Sequence, residues 1–191
     1  MKKYLKNCLL ALVGCQIFMH QSIASEKYPQ VEIVTTSGSF IIELDRNKAP
    51  LSVENFLSYV EEGFYANTIF HRVIEGFVIQ AGGYTTQFEE KKTKPDIVNE
   101  SGNGLKNSRM HIGMARSNEP HTASSQFFIN LVNNISLDPM PTRWGYAVFG
   151  EVIRGFEVVD AIGQSATQNF QGLQNVPVAP IIILEAKKLG P

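Results

Sequence analysis

Hydrophobic and polar positions alternate in several short runs of the chain, which is the pattern of half-buried β-strands. Residues 31–45, VEIVTTSGSFIIELD, contain two such runs around Ser37 and Gly38, and a glycine at that point suits a hairpin turn. A strand pattern also covers the stretch from Thr68 to Gln80. Four later runs predict further short strands: HIGMA, SQFFINL, YAVFGEV and PIIILEAKKL.

Two other segments have the apolar spacing of amphipathic helices. The first, residues 49–65, starts near Pro50, which suits a first helical turn, and contains Gly63, where a helix would end. Its apolar positions are Val53, Phe56, Leu57 and Val60. The second covers residues 155–164. Its spacing predicts that Phe156, Val159 and Ile162 lie on one face.

The order of these elements favours one fold class. About eight short strands and two helices, without regular alternation of strand and helix, argue against a parallel doubly wound sheet. They favour a mainly β fold, a closed antiparallel barrel capped by two α-helices, because closure removes exposed strand edges and the helices cover the open ends. Residues 87–105, with Lys-rich and Asn/Gly-rich parts, are predicted to form long loops.

Composition narrows the class of protein further. The chain has 191 residues, of which 43% are hydrophobic, and a formal net charge of -1. These values are typical of one globular domain. So small a net charge gives no support to a nucleic-acid partner.

Residues 1–24 have the layout of a secretory signal peptide, with a basic start, an apolar run from Cys8 to Met19 and then Ser22-Ile23-Ala24. The apolar run is shorter than the roughly 20 residues that a membrane span needs, so we expect no stable membrane insertion. The layout predicts cleavage after Ala24, export, and a folded domain of residues 25–191.

A competing interpretation is lipid attachment at Cys15, because Leu12-Val13-Gly14-Cys15 resembles a lipobox. We favour it less, since the tether would begin with the apolar residues 16–19, where a linker should be polar. Loss of residues 1–24 would remove both cysteines, three lysines and no acidic residue, which changes the net charge from -1 to -4. The remaining domain could not use thiol chemistry, and its mild charge favours a monomer.

Common catalytic motifs are missing from the sequence. Beyond residue 24 the histidines are His71, His111 and His121, and they have no spacing such as HxH or HExxH, so no metal is expected. Ser125, His71 and Asp138 could be drawn as a hydrolase triad, but the chain has no GxSxG segment. It also has no GxGxxG or Walker A segment, so no cofactor is expected.

The stretch FHRVIEGFVIQAGG, residues 70–83, carries a histidine, an arginine and a glutamine within an apolar run. Strand alternation would place Arg72 among apolar neighbours and His71 on the opposite face. A guanidinium in such a place needs partners, and Gln80 offers an amide carbonyl while Glu75 offers a carboxylate. From the pattern alone, a structural arginine and a ligand-binding site both remain open.

This stretch is followed in order by MHIGMAR (110–116), SSQFFINL (124–131), Leu137-Asp138 and YAVFGEV (146–152). Together these segments resemble the signature segments of the cyclophilins, the peptidyl-prolyl cis-trans isomerases, and are similar to the exported bacterial branch. The resemblance implies a closed eight-stranded antiparallel β-barrel capped by two α-helices. It also implies a periplasmic location and action on Pro-containing polypeptides without a cofactor.

The resemblance assigns roles by position. Arg72 corresponds to the family's catalytic arginine and Gln80 to the glutamine that supports it. The apolar pocket for the prolyl ring corresponds to Phe77, Val78, Phe128 and Leu137. Further groove-lining positions are His71, Ala115, Arg116, Gln126 and Tyr146. For His71 we expect a structural role that needs no titration.

Several positions depart from the family's pattern. Ser136 stands where many members have a tryptophan, and the only tryptophan is Trp144, so we expect weak binding of cyclosporin. Tyr146 replaces a frequent histidine and Val78 a frequent methionine. Arg116 replaces an asparagine whose backbone contacts the substrate, and we expect that change to have a modest effect.

Three functions remain candidates. The first is an isomerase of X–Pro bonds in unfolded or partly folded exported proteins, in which Arg72 stabilises the twisted amide. The second is a non-catalytic binding module or chaperone that holds Pro-containing segments. The third is a surface protein that engages a host or membrane partner, for which the export signal is the sole argument.

Overall fold

The computed structural model describes residues 27–190, which form ten strands, two α-helices and one short 3₁₀ helix, Ile135–Leu137. The first five strands are β1 Gln30–Thr35, β2 Gly38–Leu44, β3 Thr68–Ile74, β4 Val78–Thr85 and β5 His111–Met114. The others are β6 Phe127–Asn130, β7 Val148–Arg154, β8 Thr167–Phe170, β9 Leu173–Pro177 and β10 Ile182–Lys188. The helices are α1 Pro50–Glu61 and α2 Phe156–Gly163. The predicted signal peptide, residues 1–24, lies outside the described residues.

Eight of the strands close into an antiparallel barrel in the order β1-β10-β3-β4-β6-β5-β7-β2, and β2 pairs with β1 to complete the ring. This confirms the mainly β barrel with two helices. The strands β8 and β9 form a separate two-stranded sheet that the sequence pattern did not reveal. All four residues of β8 are exposed, so it has no hydrophobic alternation to detect.

The helices pack their apolar faces against the barrel. In α1, Pro50 occupies the first turn as predicted, and the Phe56 ring meets the Phe127 ring edge-on at a centroid distance of 5.5 Å. In α2, Val159 and Ile162 are buried, whereas Phe156, which was predicted to share one face with them, is 42% exposed. Side chains tilt toward the start of their helix, and that of the first residue therefore projects beyond the packed face.

The strand pattern between Thr68 and Gln80 belongs to two strands, because residues 75–77 form a turn between β3 and β4. Phe70 pairs with Ala81 and Arg72 pairs with Gln80, which leaves His71 as an extra residue in a β-bulge. The predicted strict alternation is therefore wrong. The bulge lets both Phe70 and Val73 reach the core, while Arg72 is only partly buried.

Candidate active site

A surface pocket of about 180 Å³, here called the apolar pocket, lies between the β3–β4 hairpin, β6 and the loop before β7. Nine of the eleven residues expected at the site line it: Arg72, Phe77, Val78, Gln80, Ala115, Arg116, Phe128, Leu137 and Tyr146. The other two, His71 and Gln126, line an adjoining depression that we call the side groove. The barrel thus brings together residues from segments more than seventy positions apart.

Arg72 is held in place by a chain of side-chain hydrogen bonds. Its Nη1 donates to Gln80 Oε1 at 3.3 Å, and Gln80 Nε2 donates to Gln126 Oε1 at 2.9 Å. Arg72 and Gln80 are direct partners across β3 and β4, so the strand register itself sets this contact. Glu75 is exposed in the turn and, among residues 27–190, no carboxylate pairs with Arg72, so Glu75 is not the partner that the sequence also allowed.

The floor of the apolar pocket is aromatic. The Phe128 side chain is 4% exposed, and its ring meets the Tyr146 ring edge-on at a centroid distance of 5.7 Å. Gly113 lies opposite Phe128 on the neighbouring strand, and a Cβ atom there would stand 2.5 Å from Phe128 Cζ. The ring therefore occupies space that only a glycine leaves open.

A second glycine makes room for Gln126. A Cβ atom on Gly83 would stand 2.5 Å from Gln126 Nε2. The sequence interpretation assigned no role to Gly83 or Gly113, although both interrupt strand runs, in QAGG and HIGMA. A glycine inside a strand often marks the close approach of another group, and that signal could have found them.

Arg116 shapes the pocket through its side chain. Its Nε donates to the Gly145 carbonyl at 3.3 Å and its Nη2 to the Trp144 carbonyl at 3.1 Å. Its Cζ lies 4.5 Å from the centroid of the Tyr146 ring. Although the family comparison drew attention to its backbone, the Arg116 guanidinium ties down the loop that carries Tyr146.

Four buried polar residues form a network beneath the apolar pocket, and the sequence interpretation did not identify it: Asn107, Asn130, Asn134 and Asp138. Asn134 Nδ2 donates to the Phe77 carbonyl at 2.9 Å and to Asn130 Oδ1 at 2.8 Å. Asn130 Nδ2 donates to Asn107 Oδ1 at 3.4 Å. One wall of the pocket is thus anchored through the backbone of Phe77.

The same network reaches the opposite wall. Asp138 Oδ1 accepts hydrogen bonds from Asn107 N at 2.8 Å and from Asn107 Nδ2 at 3.1 Å. Asn107 Nδ2 also donates to the Tyr146 carbonyl at 3.4 Å, and Tyr146 N donates to the Leu137 carbonyl at 2.9 Å. An asparagine inside the apolar run FFINL was the available signal for this network, since buried amides require partners.

The alternative hydrolase triad does not form. Ser125 Oγ donates to the Gly82 carbonyl at 2.7 Å, and Asp138 Oδ1 is bonded to Asn107. Within residues 27–190, the Nδ1 atom of His71 has no hydrogen-bond partner. The three side chains are therefore not connected. Among the same described residues, no group of three or more His, Cys, Asp and Glu side chains is placed to hold a metal ion.

His71 is buried, and its ring lies 4.7 Å from the Tyr84 ring between centroids. Burial, and then the charge of the neighbouring Arg72, lower the pKa of His71 to about 4. The imidazole is therefore neutral near pH 7. Its surroundings suit a packed structural group better than a proton donor.

Many family members have a tryptophan at the position of Ser136, and Trp144 does not take its place beside the apolar pocket. It is 48% exposed, lies against His121 at a centroid distance of 5.1 Å, and lines a separate cavity of about 420 Å³ with residues 139–143. Ser136 itself is exposed. No tryptophan is among the residues that line the apolar pocket, and the weak binding of cyclosporin stays a prediction.

Residues 30–188 match the family described as cyclophilin type peptidyl-prolyl cis-trans isomerase/CLD. The chain is 48% identical over 166 residues to peptidyl-prolyl cis-trans isomerase A of Dickeya dadantii, which covers 87% of each protein. It is 46% identical over 183 residues to a peptidyl-prolyl cis-trans isomerase of Acinetobacter baylyi, which covers 96% of this chain and 95% of the relative.

Solved structures show the same architecture. The crystal structure of a cyclophilin type peptidyl-prolyl cis-trans isomerase from Cryptosporidium parvum has a TM-score of 0.71 at 28% sequence identity, and covers 86% of this chain and 99% of that one. A second structure of the Cryptosporidium protein, obtained in the presence of the dipeptide Ala-Pro, matches with the same TM-score of 0.71. Within residues 27–190, no helix has the length and apolarity needed to cross a membrane.

Proposed function

The chain belongs to the cyclophilin type peptidyl-prolyl cis-trans isomerase family, and from this we propose that Arg72 stabilises the twisted X–Pro amide of unfolded or partly folded exported proteins. Because the chain belongs to this family, it is a peptidyl-prolyl cis-trans isomerase. The observation that carries the proposed mechanism is the placement of Arg72, held by Gln80, at the edge of an apolar pocket.

Rotation about an X–Pro bond meets a barrier of about 20 kcal/mol, because the partial double bond of the amide is lost at the top. In the twisted state the prolyl nitrogen becomes pyramidal and gains a lone pair that can accept a hydrogen bond. A guanidinium is a suitable donor, since arginine stays protonated and presents a rigid set of N–H groups. A bond formed only in the twisted state lowers the barrier, and one formed equally in the planar state does not.

The apolar pocket would hold the prolyl ring while the preceding part of the substrate turns. Phe77, Val78, Phe128 and Leu137 supply carbon surface for the ring, and Tyr146 closes the floor against Phe128. Exclusion of water by these groups strengthens the hydrogen bond from Arg72. No proton transfer is needed in this scheme, which agrees with a neutral, buried His71.

The proposed substrate class is supported by the apolar pocket and by the N-terminal sequence. A Cryptosporidium relative was crystallised in the presence of Ala-Pro, which supports a proline-sized site in this chain as well. Residues 1–24 support export to the periplasm, where Pro-containing polypeptides arrive unfolded, and we expect residues 25–191 to act as a monomer. The mass of the mature N-terminus decides between cleavage after Ala24 and lipid attachment at Cys15.

The experiment that tests the mechanism compares wild-type protein with Arg72→Ala on a short Pro-containing peptide. We expect kcat/KM to fall by about 100-fold, the typical effect of removing one donor to a transition state. Arg154→Ala is the matched control, because Arg154 lies exposed on β7 and outside the apolar pocket.

Two other outcomes would contradict this scheme. Full activity of Arg72→Ala would show that a group other than Arg72 accelerates the isomerisation. Absence of turnover in the wild type, with retained protection of unfolded proteins by both forms, would instead identify a holding chaperone that binds proline segments.

A further inference from the structure

Three consecutive polar residues, Asn99, Glu100 and Ser101, lie in the long loop between β4 and β5 and are here called the bridging segment. The sequence pattern predicted only a loop for this part of the chain. Asn99 and Ser101 are nevertheless buried, and Glu100 is half-buried. Buried polar side chains need partners, and the partners of these three lie in two distant parts of the fold.

Glu100 caps the first turn of helix α1. Ala49, the residue before this helix, has an apolar side chain that cannot serve as a cap. Glu100 Oε1 accepts a hydrogen bond from Leu51 N at 3.0 Å, and Glu100 Oε2 accepts from Ser52 N and from Ser52 Oγ, each at 2.7 Å. The first amides of a helix have no partners within it, and its dipole favours a carboxylate there. The bridging segment is therefore fixed to α1.

The other two side chains hold the backbone of Gly145, which is buried. Gly145 N donates to Ser101 Oγ at 3.1 Å, and Asn99 Nδ2 donates to the Gly145 carbonyl at 3.0 Å. Ser101 N in turn donates to Asn99 Oδ1 at 2.7 Å, which keeps the two side chains in one arrangement. Both backbone groups of Gly145 are thus tied to the bridging segment.

Gly145 lies directly behind one wall of the apolar pocket. A Cβ atom on Gly145 would stand 2.4 Å from Pro139 N and 2.7 Å from the Leu137 carbonyl oxygen, so the two stretches of main chain are in close contact. The next residue, Tyr146, donates its N–H to the Leu137 carbonyl at 2.9 Å. Leu137 and Tyr146 both line the apolar pocket. A shift of Gly145 would therefore move the wall that these two residues form.

We propose that Glu100 and Ser101 are positioning residues of the isomerase site, which fix the Leu137–Tyr146 wall of the apolar pocket to helix α1. Neither of these two described residues lines the apolar pocket, so they act through Gly145 and not on the substrate. This inference rests on the proposed isomerase function. The wall contacts the prolyl ring in the planar and in the twisted state of the amide. Its loosening therefore weakens binding of both states, which raises KM and leaves kcat little changed.

The test uses two single variants and the variant that combines them. Ser101→Ala removes the acceptor for Gly145 N with little change in volume. Glu100→Gln leaves one acceptor oxygen in place of two, so the first turn of α1 loses part of its cap. For each protein, KM and kcat are measured on a short Pro-containing peptide, together with the fluorescence of Trp144, the residue before Gly145 and the only tryptophan in the chain.

Thr35→Val is the matched control for a general loss of stability. The Thr35 hydroxyl is also buried and also accepts a hydrogen bond from a backbone amide, that of Ser37 at 3.0 Å. It lies at the end of β1 and outside the apolar pocket. Urea unfolding of every variant shows whether the control and Ser101→Ala are destabilised to a similar extent.

One net hydrogen bond corresponds to a factor of about five in a binding constant, so we expect KM to rise about fivefold in Ser101→Ala, with kcat within about twofold of wild type. Glu100→Gln should raise KM in the same direction, and both variants should change the emission of Trp144. Because the two residues belong to one connection, the double variant should raise KM by less than the product of the single effects. Thr35→Val should retain the wild-type KM and emission.

An unchanged KM in Ser101→Ala would overturn the proposal, as would an equal rise in Thr35→Val. Independent, multiplicative effects of Glu100→Gln and Ser101→Ala would also contradict it, because they would show that the helix and the wall are not joined through this segment. Failure of the proposed function is seen separately, since the wild type would then turn over no peptide. In that case calorimetric binding of the same peptide to wild type and Ser101→Ala still decides whether the bridging segment positions the wall.

Discussion

Gly113 and Phe128 face each other across β5 and β6, and the Phe128 ring fills the space that a side chain on Gly113 would occupy. An added Cβ would approach Cζ of the ring to 2.5 Å, far inside van der Waals contact. Phe128 is packed at 4% exposure and has one open side, the apolar pocket. A methyl group added at Gly113 would therefore reduce the volume of the apolar pocket.

Gly113→Ala should therefore push the Phe128 ring toward the pocket and lower kcat/KM by about tenfold, since overpacking of this kind costs about 1–3 kcal/mol. Gly102→Ala is the control, because a Cβ atom on Gly102 meets nothing within 4 Å. Peptide turnover by both variants is the measurement. An unchanged kcat/KM in Gly113→Ala would show that the ring does not limit the pocket.

Asn134 anchors the Phe77 wall from below, so Asn134→Ala should lower both stability and affinity. The substitution leaves the buried Asn130 Oδ1 without the bond from Asn134, which costs about 1–3 kcal/mol in the free energy of unfolding, while the Phe77 carbonyl keeps its bond from Leu131 N. We also expect KM to rise as the wall loosens. Urea unfolding and turnover should be compared with the exposed variant Asn47→Ala, and equal KM values in the two variants would refute the anchoring role.

Arg116→Lys keeps the positive charge but loses the planar group that spans the carbonyls of Gly145 and Trp144. We expect a looser loop, a KM several-fold higher, and a change in the fluorescence of Trp144, the only tryptophan in the chain. Arg154→Lys on β7 should leave the spectrum unchanged. An identical emission spectrum and KM in Arg116→Lys would show that the charge alone supports the pocket.

His71 should make stability depend on pH without making turnover depend on it. Its pKa is about 4 in the folded protein and near 6.5 when unfolded, so the unfolded chain binds the extra proton between these values. The free energy of unfolding should therefore fall by about 3 kcal/mol as pH decreases from 7 to 4. His71→Gln should flatten that part of the curve, and an equally steep decline in this variant would assign the dependence to other groups.

The strands and helices were largely predictable because each depends on a local pattern. Alternation located the hairpin of β1 and β2, and helical spacing located α1 from Pro50 onward. The pattern was less informative where neighbours decide the outcome. The bulge at His71 broke the expected alternation around Arg72, and the exposed β8–β9 hairpin left no hydrophobic signal.

Hydrophobic periodicity was enough to predict the barrel and its two helices, because it is a property of neighbouring positions. The residues expected at the site came instead from the resemblance of several ordered segments to the cyclophilins. Tertiary structure alone decided which side chains share a wall. Three contacts join residues that are distant in the sequence. They are the close fit of Gly113 to Phe128, the hydrogen bonds from Arg116 to the loop before β7, and the network of Asn and Asp side chains. These contacts depend on which strands pair and in which register, and on how the loops fold over them, and a local sequence pattern does not specify either.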